Sequence, residues 1–224
     1  MIIIEVLASK IADRIALQLG LNHERRSVIA YGMTGFLQII MLSIVIVVFG
    51  VISDTFYESV IIFVIVGFIR KSTGGAHSET IAGCNTISVL SVALLALSSK
   101  YLLDIQMGIY ANLGITLTVF LIVFIIFNRY VPVDSPNKPI VTEKKIARLR
   151  KESFTKLLFF FLLTTGAILM TSTYEGFFSI AASIRIAVIW QTMTLTKPGT
   201  LLISKLDSAV NKVLNRLTIL KNNF

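Results

Sequence analysis

The sequence predicts an all-α fold, a polytopic membrane bundle of about six spanning helices with an amphipathic helix at each end. Three observations predict it. Hydrophobic residues make up 55% of the 224 residues and charged residues 15%, with a mean hydropathy of +0.82. A soluble domain of this length needs far more polar surface to cover its core. The apolar residues also fall in long blocks, several near the roughly 20 residues a helix needs to cross the hydrocarbon. Finally, the basic residues behind the net charge of +9 gather in the segments between alternate blocks.

Residues 2–19 read as an amphipathic helix, with Ile4, Leu7, Ile11, Ile15 and Leu19 recurring at helical spacing and Glu5, Lys10, Asp13, Arg14 and Gln18 around the rest. Gly20 and Asn22 end it. The first span is 28–52. The second, 53–69, has an apolar run of only Ser59–Ile69, roughly 17 Å of helix against about 30 Å of hydrocarbon. Either that helix starts near Ser53 or the bilayer is thinned there. The third span, 81–98, is weakened by Cys84, Asn85, Thr86, Ser88 and Ser91, whereas the fourth, 108–127, is strongly apolar. A basic loop is expected over 128–156, then spans at 157–173 and 177–196. Pro198-Gly199 is expected only to separate the last span from an amphipathic helix over 201–220, whose stripe is Leu202, Leu206, Val210, Val213, Leu217 and Leu220. No internal repeat is visible, so 1–224 reads as one polytopic domain.

Six spans with the N-terminus inside leave 1–27, 70–80, 128–156 and 197–224 in the cytoplasm, and every Lys and Arg except Lys100 and Arg185 lies in these pieces. Basic residues concentrate in cytoplasmic loops, so the asymmetry orients the chain in a plasma membrane with both termini cytoplasmic. The same asymmetry accounts for the positive charge, and no aromatic-interleaved reader motif supports nucleic acid as a partner. One cysteine excludes an intramolecular disulfide and a multi-cysteine metal site. His23 and His77 have no metal-ligand spacing, so no metal and no cofactor is expected. The charges at Glu5, Lys10, Asp13 and Arg14 interrupt any signal-peptide core.

The segment from Arg70 to Cys84 concentrates glycine, polar and ionisable residues between two weak membrane segments. Non-helical backbone at such depth must be buried in protein or line water, which points to a polar pocket open to the cytoplasm. Cys84 is the candidate nucleophile. A cysteine thiol is mostly protonated at neutral pH, and His77 is the imidazole within reach to take its proton. On one unbroken helix the two would share a face but lie about 10.5 Å apart along the axis. They can cooperate only if the helix begins after His77, capped by Ser78 or Thr80, with Gly74-Gly75 folding the chain back. A helix N-terminus near Cys84 would also favour an oxyanion. Against this, a lone cysteine in a membrane helix is most often a small packing residue, and residue types alone do not decide between the two.

The run from Arg70 through Gly74-Gly75-Ala76-His77 to Cys84 resembles the signature of the accessory gene regulator B (AgrB) family, membrane cysteine peptidases of quorum-sensing systems. Val131-Pro-Val-Asp-Ser-Pro-Asn-Lys-Pro-Ile140 is similar to that family's proline-rich loop, and length and span pattern agree over nearly the whole chain. The resemblance implies a small amphipathic precursor peptide as substrate. Cys84 would attack the scissile carbonyl, release the C-terminal tail and hold the peptide as a thioester. A Cys or Ser of the peptide would then close a thiolactone or lactone ring, with His77 as base and proton shuttle. It further implies a homodimer, Gly75 as a turn residue, and Arg70 as a structural or substrate-carboxylate contact. Keeping water from the thioester is a requirement of cyclisation over hydrolysis, and a site at the membrane boundary suits it.

Two features stay open. The basic stretch with Lys144, Lys145, Arg148, Arg150 and Lys151 fits an acidic substrate tail, anionic lipids of the bilayer, or a plain positive-inside loop. Arg185 within the sixth span fits snorkelling, a pair with Glu79 or a carbonyl, or substrate binding. The competing function is a peptide exporter or channel without proteolytic activity, which needs a polar path through several spans.

Overall fold

A computed structural model describes residues 2–76, 78, 80–102, 108–134 and 142–222. Pro136 and Pro139 of the proline-rich loop, and the candidates His77 and Glu79, lie outside the described residues. The chain forms two compact units, residues 1–48 and 49–224.

The first unit holds α1 (Ile2–Leu19) and most of α2 (His23–Ile52). Gly20, with φ of 60°, ends α1 in the left-handed conformation that glycine adopts without a Cβ penalty. Asn22 then accepts from Arg25 N at 3.0 Å and caps α2. Arg26 binds Asp13 and donates to Ser9 Oγ at 2.9 Å, closing the turn; this guanidinium holds the Asp13 carboxyl below its ordinary range. The buried residues of α1 are not its apolar stripe. Ala8, Ala12 and Ala16 are buried, whereas Leu7 and Leu19 are exposed.

In the second unit, α2 turns sharply into α3 (Phe56–Thr73) at residues 53–55. The approach is close enough that a Cβ at Gly50 would lie 2.9 Å from Phe56 Cα. Lys100 closes this end of the bundle by an ion pair to Asp54 at 2.8 Å. The short second span is therefore lengthened at both ends, three residues before Ser59 and four beyond Ile69. It starts at Phe56 and runs on through Arg70 and Lys71, giving 18 residues, about 27 Å of helix.

α4 (Ile81–Leu97) continues into five residues of π-helix, Ser98–Leu102. α5 (Ile109–Tyr130) follows. α6 spans Glu143–Met170 without interruption, so much of the basic stretch expected as a loop over 128–156 is helix. Lys and Arg are good helix formers; Arg148 pairs with Glu152 one turn on, and Arg150 donates to Asn128 O at 3.0 Å. α7 (Phe177–Met193) leads through a 90° bend into α8 (Lys197–Asn222), which starts earlier than the expected 201 and takes Pro198 into its first turn. Gly199 does more than separate the two helices. A Cβ there would fall 1.9 Å from Met193 O, so the bend depends on glycine.

α7 is the central helix, packing against α3, α4, α5 and α6. Its small residues Ala181, Ala182, Ser183 and Ala187 are buried, as small side chains at membrane helix interfaces require. Its polar residues find partners across the bundle: Ser179 donates to the buried Glu58 at 2.7 Å, and Ser183 shares a 2.7 Å bond with Ser99. Outward faces of α2, α5 and α6 expose Ile44, Val48, Leu121, Ile125, Leu158 and Leu162, the pattern of helices bathed in lipid.

The chain is thus an all-α, multi-pass membrane protein. Among the described residues four helices are long and apolar enough to cross a membrane: α2, α4 with its extension, α5 and α6. A fifth is added if the bent pair α7 and α8 counts as one span. The expected six are not reached by length and composition. α3 carries Glu58, Arg70 and Lys71, and α7 has only 17 residues.

A proline separates helix from loop over the basic stretch. Lys151→Pro, at an exposed position, should cost about 3 kcal/mol because it removes a helical hydrogen bond and clashes with the preceding turn. Unfolding in detergent followed by helical circular dichroism reads the loss; no loss would restore the loop.

Candidate functional site

The backbone between α3 and α4 breaks at two glycines. Gly74 has φ of 73° and Gly75 of 129°, a region that residues with a Cβ rarely adopt. Each also admits a neighbour where a side chain would stand. A Cβ at Gly74 would lie 2.2 Å from Val133 O, and one at Gly75 would lie 2.7 Å from Thr194 Oγ1. The segment after α5 crosses over this turn, with Val133 N donating to Thr73 O at 2.8 Å.

Leaving a helix exposes backbone polar groups, and each must be satisfied away from water. The C-terminal end of α7 satisfies them. Gln191 Nε2 donates to Gly74 O at 2.8 Å and to Thr73 Oγ1 at 3.0 Å. Ala76 N donates to Thr194 O at 3.0 Å, and Arg70 Nη2 donates to Ala76 O. Gln191 Oε1 is buried with no partner among the described residues.

Helix α4 then begins at Ile81, and Thr80 is its N-cap. Thr80 has extended backbone angles (φ −115°, ψ 145°), and its Oγ1 accepts from Gly83 N at 3.0 Å. The helix start expected after residue 77 is therefore present, with Thr80 rather than Ser78 as cap. Cys84 is the fourth residue of α4, in its first turn, and half-buried. Its N–H donates to Thr80 O at 2.9 Å. The Arg70 guanidinium, also half-buried, lies within electrostatic range of the Cys84 sulfur. The first turn of α4 thus sets the Cys84 sulfur where the terminal dipole favours negative charge.

Of the residues singled out from the sequence, Arg70, Gly74, Gly75 and Cys84 come together here. Arg185 does not join them. It sits on α7 six residues before Gln191 and donates to Asn112 Oδ1 at 3.2 Å and Thr116 Oγ1 at 3.4 Å on α5. Its partners are side-chain oxygens within the bundle. Among the described residues, no group of three His, Cys, Asp or Glu side chains converges as a metal site.

Sequence reasoning missed the residues that hold the segment in place. Gln191 and Thr194 were visible only as polar residues in a span, a signal that marks buried partners. Asp207 and Asn211 of α8 were also missed. Ser78 Oγ donates to Asp207 Oδ1, and Thr80 Oγ1 donates to Asn211 Oδ1 at 3.0 Å. Asp207 is the sole acidic residue in 197–224, which is the signal that could have found it.

Fold and site define a polytopic membrane protein with a clamped helix break leading to a thiol at a helix N-terminus. The chain belongs to the Accessory gene regulator B family, whose profile matches residues 8–195. It is similar to AgrB-like protein 2 of Clostridium perfringens strain 13, with 30% identity over 217 residues covering 94% of this chain and 100% of the relative. An AgrB-like protein of C. perfringens strain SM101 is similar to the same extent. One of Clostridium acetobutylicum is 32% identical over 105 residues, covering 47% of this chain and 45% of the relative. No solved structure matches the chain.

Two substitutions test the local geometry. Thr80→Ala should lower stability by about 1 kcal/mol through loss of the cap, with Thr80→Ser near wild type. Gly75→Ala should cost about 1–3 kcal/mol through its backbone conformation alone. Both are read as shifts in detergent-solubilised unfolding, and unchanged midpoints would contradict the assigned turn and cap.

Proposed function

We propose that this protein is a membrane cysteine endopeptidase and cyclase acting on a small amphipathic precursor peptide in quorum sensing. Family membership supports the substrate class. The single observation that supports the chemistry is the helix break: the chain leaves α3 at Gly74-Gly75, α4 starts only at Ile81, and Cys84 lies in its first turn.

The reaction needs no external nucleophile. The Cys84 sulfur attacks the scissile carbonyl as His77 takes the thiol proton. The tetrahedral oxyanion develops near the α4 N-terminus and Arg70. The carbon–nitrogen bond breaks, the leaving amine takes the proton from His77, and the C-terminal tail departs. The peptide remains as a thioester on Cys84. A Cys or Ser side chain of the peptide then gives its proton to His77 and attacks the thioester. The carbon–sulfur bond to Cys84 breaks, Cys84 recovers the proton, and a cyclic thiolactone or lactone leaves. Cyclisation outruns hydrolysis when the internal nucleophile is held close and water is excluded.

In this reading α3 and α7 supply two further crossings, giving six. The distribution of Lys and Arg supports an orientation with both termini and the Cys84 end of the bundle in the cytoplasm, in a plasma membrane. The expected partners are the precursor peptide, the bilayer and a second copy of the chain. An acidic peptide tail would meet the basic turns of α6, where Arg148, Lys151 and Lys156 line a groove with Phe68 and Phe159.

The test is mass spectrometry of the full chain in liposomes with a candidate precursor peptide. A Cys84 adduct, a released tail and a product lighter by that tail and cyclised are the expected species. Cys84→Ala and His77→Ala should yield none of them while still reaching the membrane. Full tail release by Cys84→Ala would sink the reading and leave the exporter alternative.

A further inference from the structure

We propose that Asp207, on the C-terminal helix, is a positioning residue for the thiol chemistry. It fixes the segment before α4 through Ser78 and seats the first turn of α4 at Gly83. The inference rests on the reading of Cys84 and His77 as the reacting pair.

The pattern of α8 is the first argument. An amphipathic helix on a soluble core buries its apolar stripe. In α8, Leu202, Leu206 and Val213 of the expected stripe are exposed, while Asp207 is 5% exposed beside the buried Ile203. The basic residues Lys197, Lys205 and Lys212 are exposed as well. The apolar face is left for the membrane surface, and the protein contact is made through a carboxylate. Burying a carboxylate is costly unless it is hydrogen-bonded, and an aliphatic residue would fill such a position more cheaply. A buried acid that is the sole one in the segment therefore calls for a reason other than stability.

Its surroundings supply one. Asp207 Oδ1 accepts from Ser78 Oγ, and residue 78 adjoins residue 77. The same oxygen stands 1.9 Å from where a Cβ at residue 83 would be, so Gly83, next to Cys84, is the only residue type that leaves room for it. One turn further on, Asn211 accepts from Thr80 Oγ1, the hydroxyl that caps α4. Asp207 and Asn211 thus hold the chain just before the helix start, with Asp207 also packed against Gly83. On the other flank, Ala76 is held by Arg70 and Thr194. Ala76 and Ser78 are thus both anchored, and Asp207 provides the second anchor. It does not touch the reacting atoms; it acts through Ser78 and Gly83.

The experiment uses the full-length protein in liposomes and two readouts. One is steady-state cleavage of the precursor peptide; the other is the rate of Cys84 alkylation by N-ethylmaleimide, which needs no peptide. Asp207→Ala and Ser78→Ala should each lower kcat about a hundredfold with KM nearly unchanged, the scale of loss that follows about 1 Å of misplacement. Both should also slow alkylation, because proton transfer from the thiol is impaired. Asp207→Asn, whose amide oxygen still accepts from Ser78, should recover most of both rates. Gly83→Ala should match Asp207→Ala, and the double variant should be no worse than the poorer single one, since both disturb one contact.

Wild-type kcat and alkylation in Asp207→Ala, or a raised KM with unchanged kcat, overturns the proposal. Should Asp207→Ala fail to reach the membrane, full activity of Ser78→Ala overturns it instead. Should wild-type protein neither cleave the peptide nor form the Cys84 adduct, the proposed function fails, and the alkylation rates alone still decide whether Asp207 positions the thiol segment.

Discussion

The bundle is organised around a helix that has to stop. Between Arg70 and Cys84 the chain abandons helical geometry for two residues at positive φ, Gly74 and Gly75. An unbroken helix would have satisfied its backbone polar groups internally and held residues 77 and 84 about two turns apart. The break frees those groups, and near a membrane they cannot be left to water. Gln191, Thr194 and Arg70 answer for Gly74 and Ala76, and the segment at Val133 answers for Thr73. α7 can reach the break because its buried face is built of alanine and serine, which let α3 approach closely. Glycines at the turn and small residues on α7 are two halves of one requirement.

The same requirement explains why two helices that fall outside the criteria for a membrane span, α3 by its charged residues and α7 by its length, are well enclosed. α3 and α7 carry Glu58, Arg70, Lys71, Arg185 and Gln191, residues that are expensive against lipid. They make the most extensive helix pair in the protein, and their polar side chains meet partners: Ser179 for Glu58, Asn112 and Thr116 for Arg185, Thr73 for Gln191. α5 and α6 expose aliphatic faces of the kind that suits lipid, and so does α2 within its own unit.

What could be read from the sequence follows the same line. The all-α class, the helices α2 and α5 and the start of α4 were legible because apolar blocks and N-cap residues act locally. The break was legible as well, through the distance argument between residues 77 and 84 and the two adjacent glycines. The helical character of 143–156 was not, because positive charge was read as loop when it marks only the aqueous side of a boundary that a helix can cross. The stripes of α1 and α8 were found, yet their direction was not. Ala8, Ala12 and Ala16 are the buried face of α1, and Asp207 with Ile203 that of α8. Periodicity identifies an apolar face; in a membrane protein it leaves undecided whether lipid or protein covers it. Gln191, Thr194 and Asp207 lie more than a hundred residues from the glycines and Ser78 they hold, and nothing local in the sequence links them.

Those long separations bear on how the site is kept in shape. A thiol at the start of a helix gains from the terminal dipole only if that terminus stays put, and the first turn of a helix is where fraying begins. Thr80 caps α4 locally, but the cap is exposed and tied down by Asn211 of a helix that arrives at the very end of the chain. The other flank is tied to the C-terminal end of α7, immediately before the 90° bend into that same helix. One continuous stretch, from Gln191 through the bend at Gly199 to Asn211, therefore holds Gly74 and Ala76 at one end and Ser78 and Thr80 at the other. A change in the bend angle moves Thr194 and Asp207 relative to each other, and with them Ala76 and Ser78. The order of the site is set by the rigidity of that bend, which is why Met193 O sits where no residue larger than glycine fits at 199.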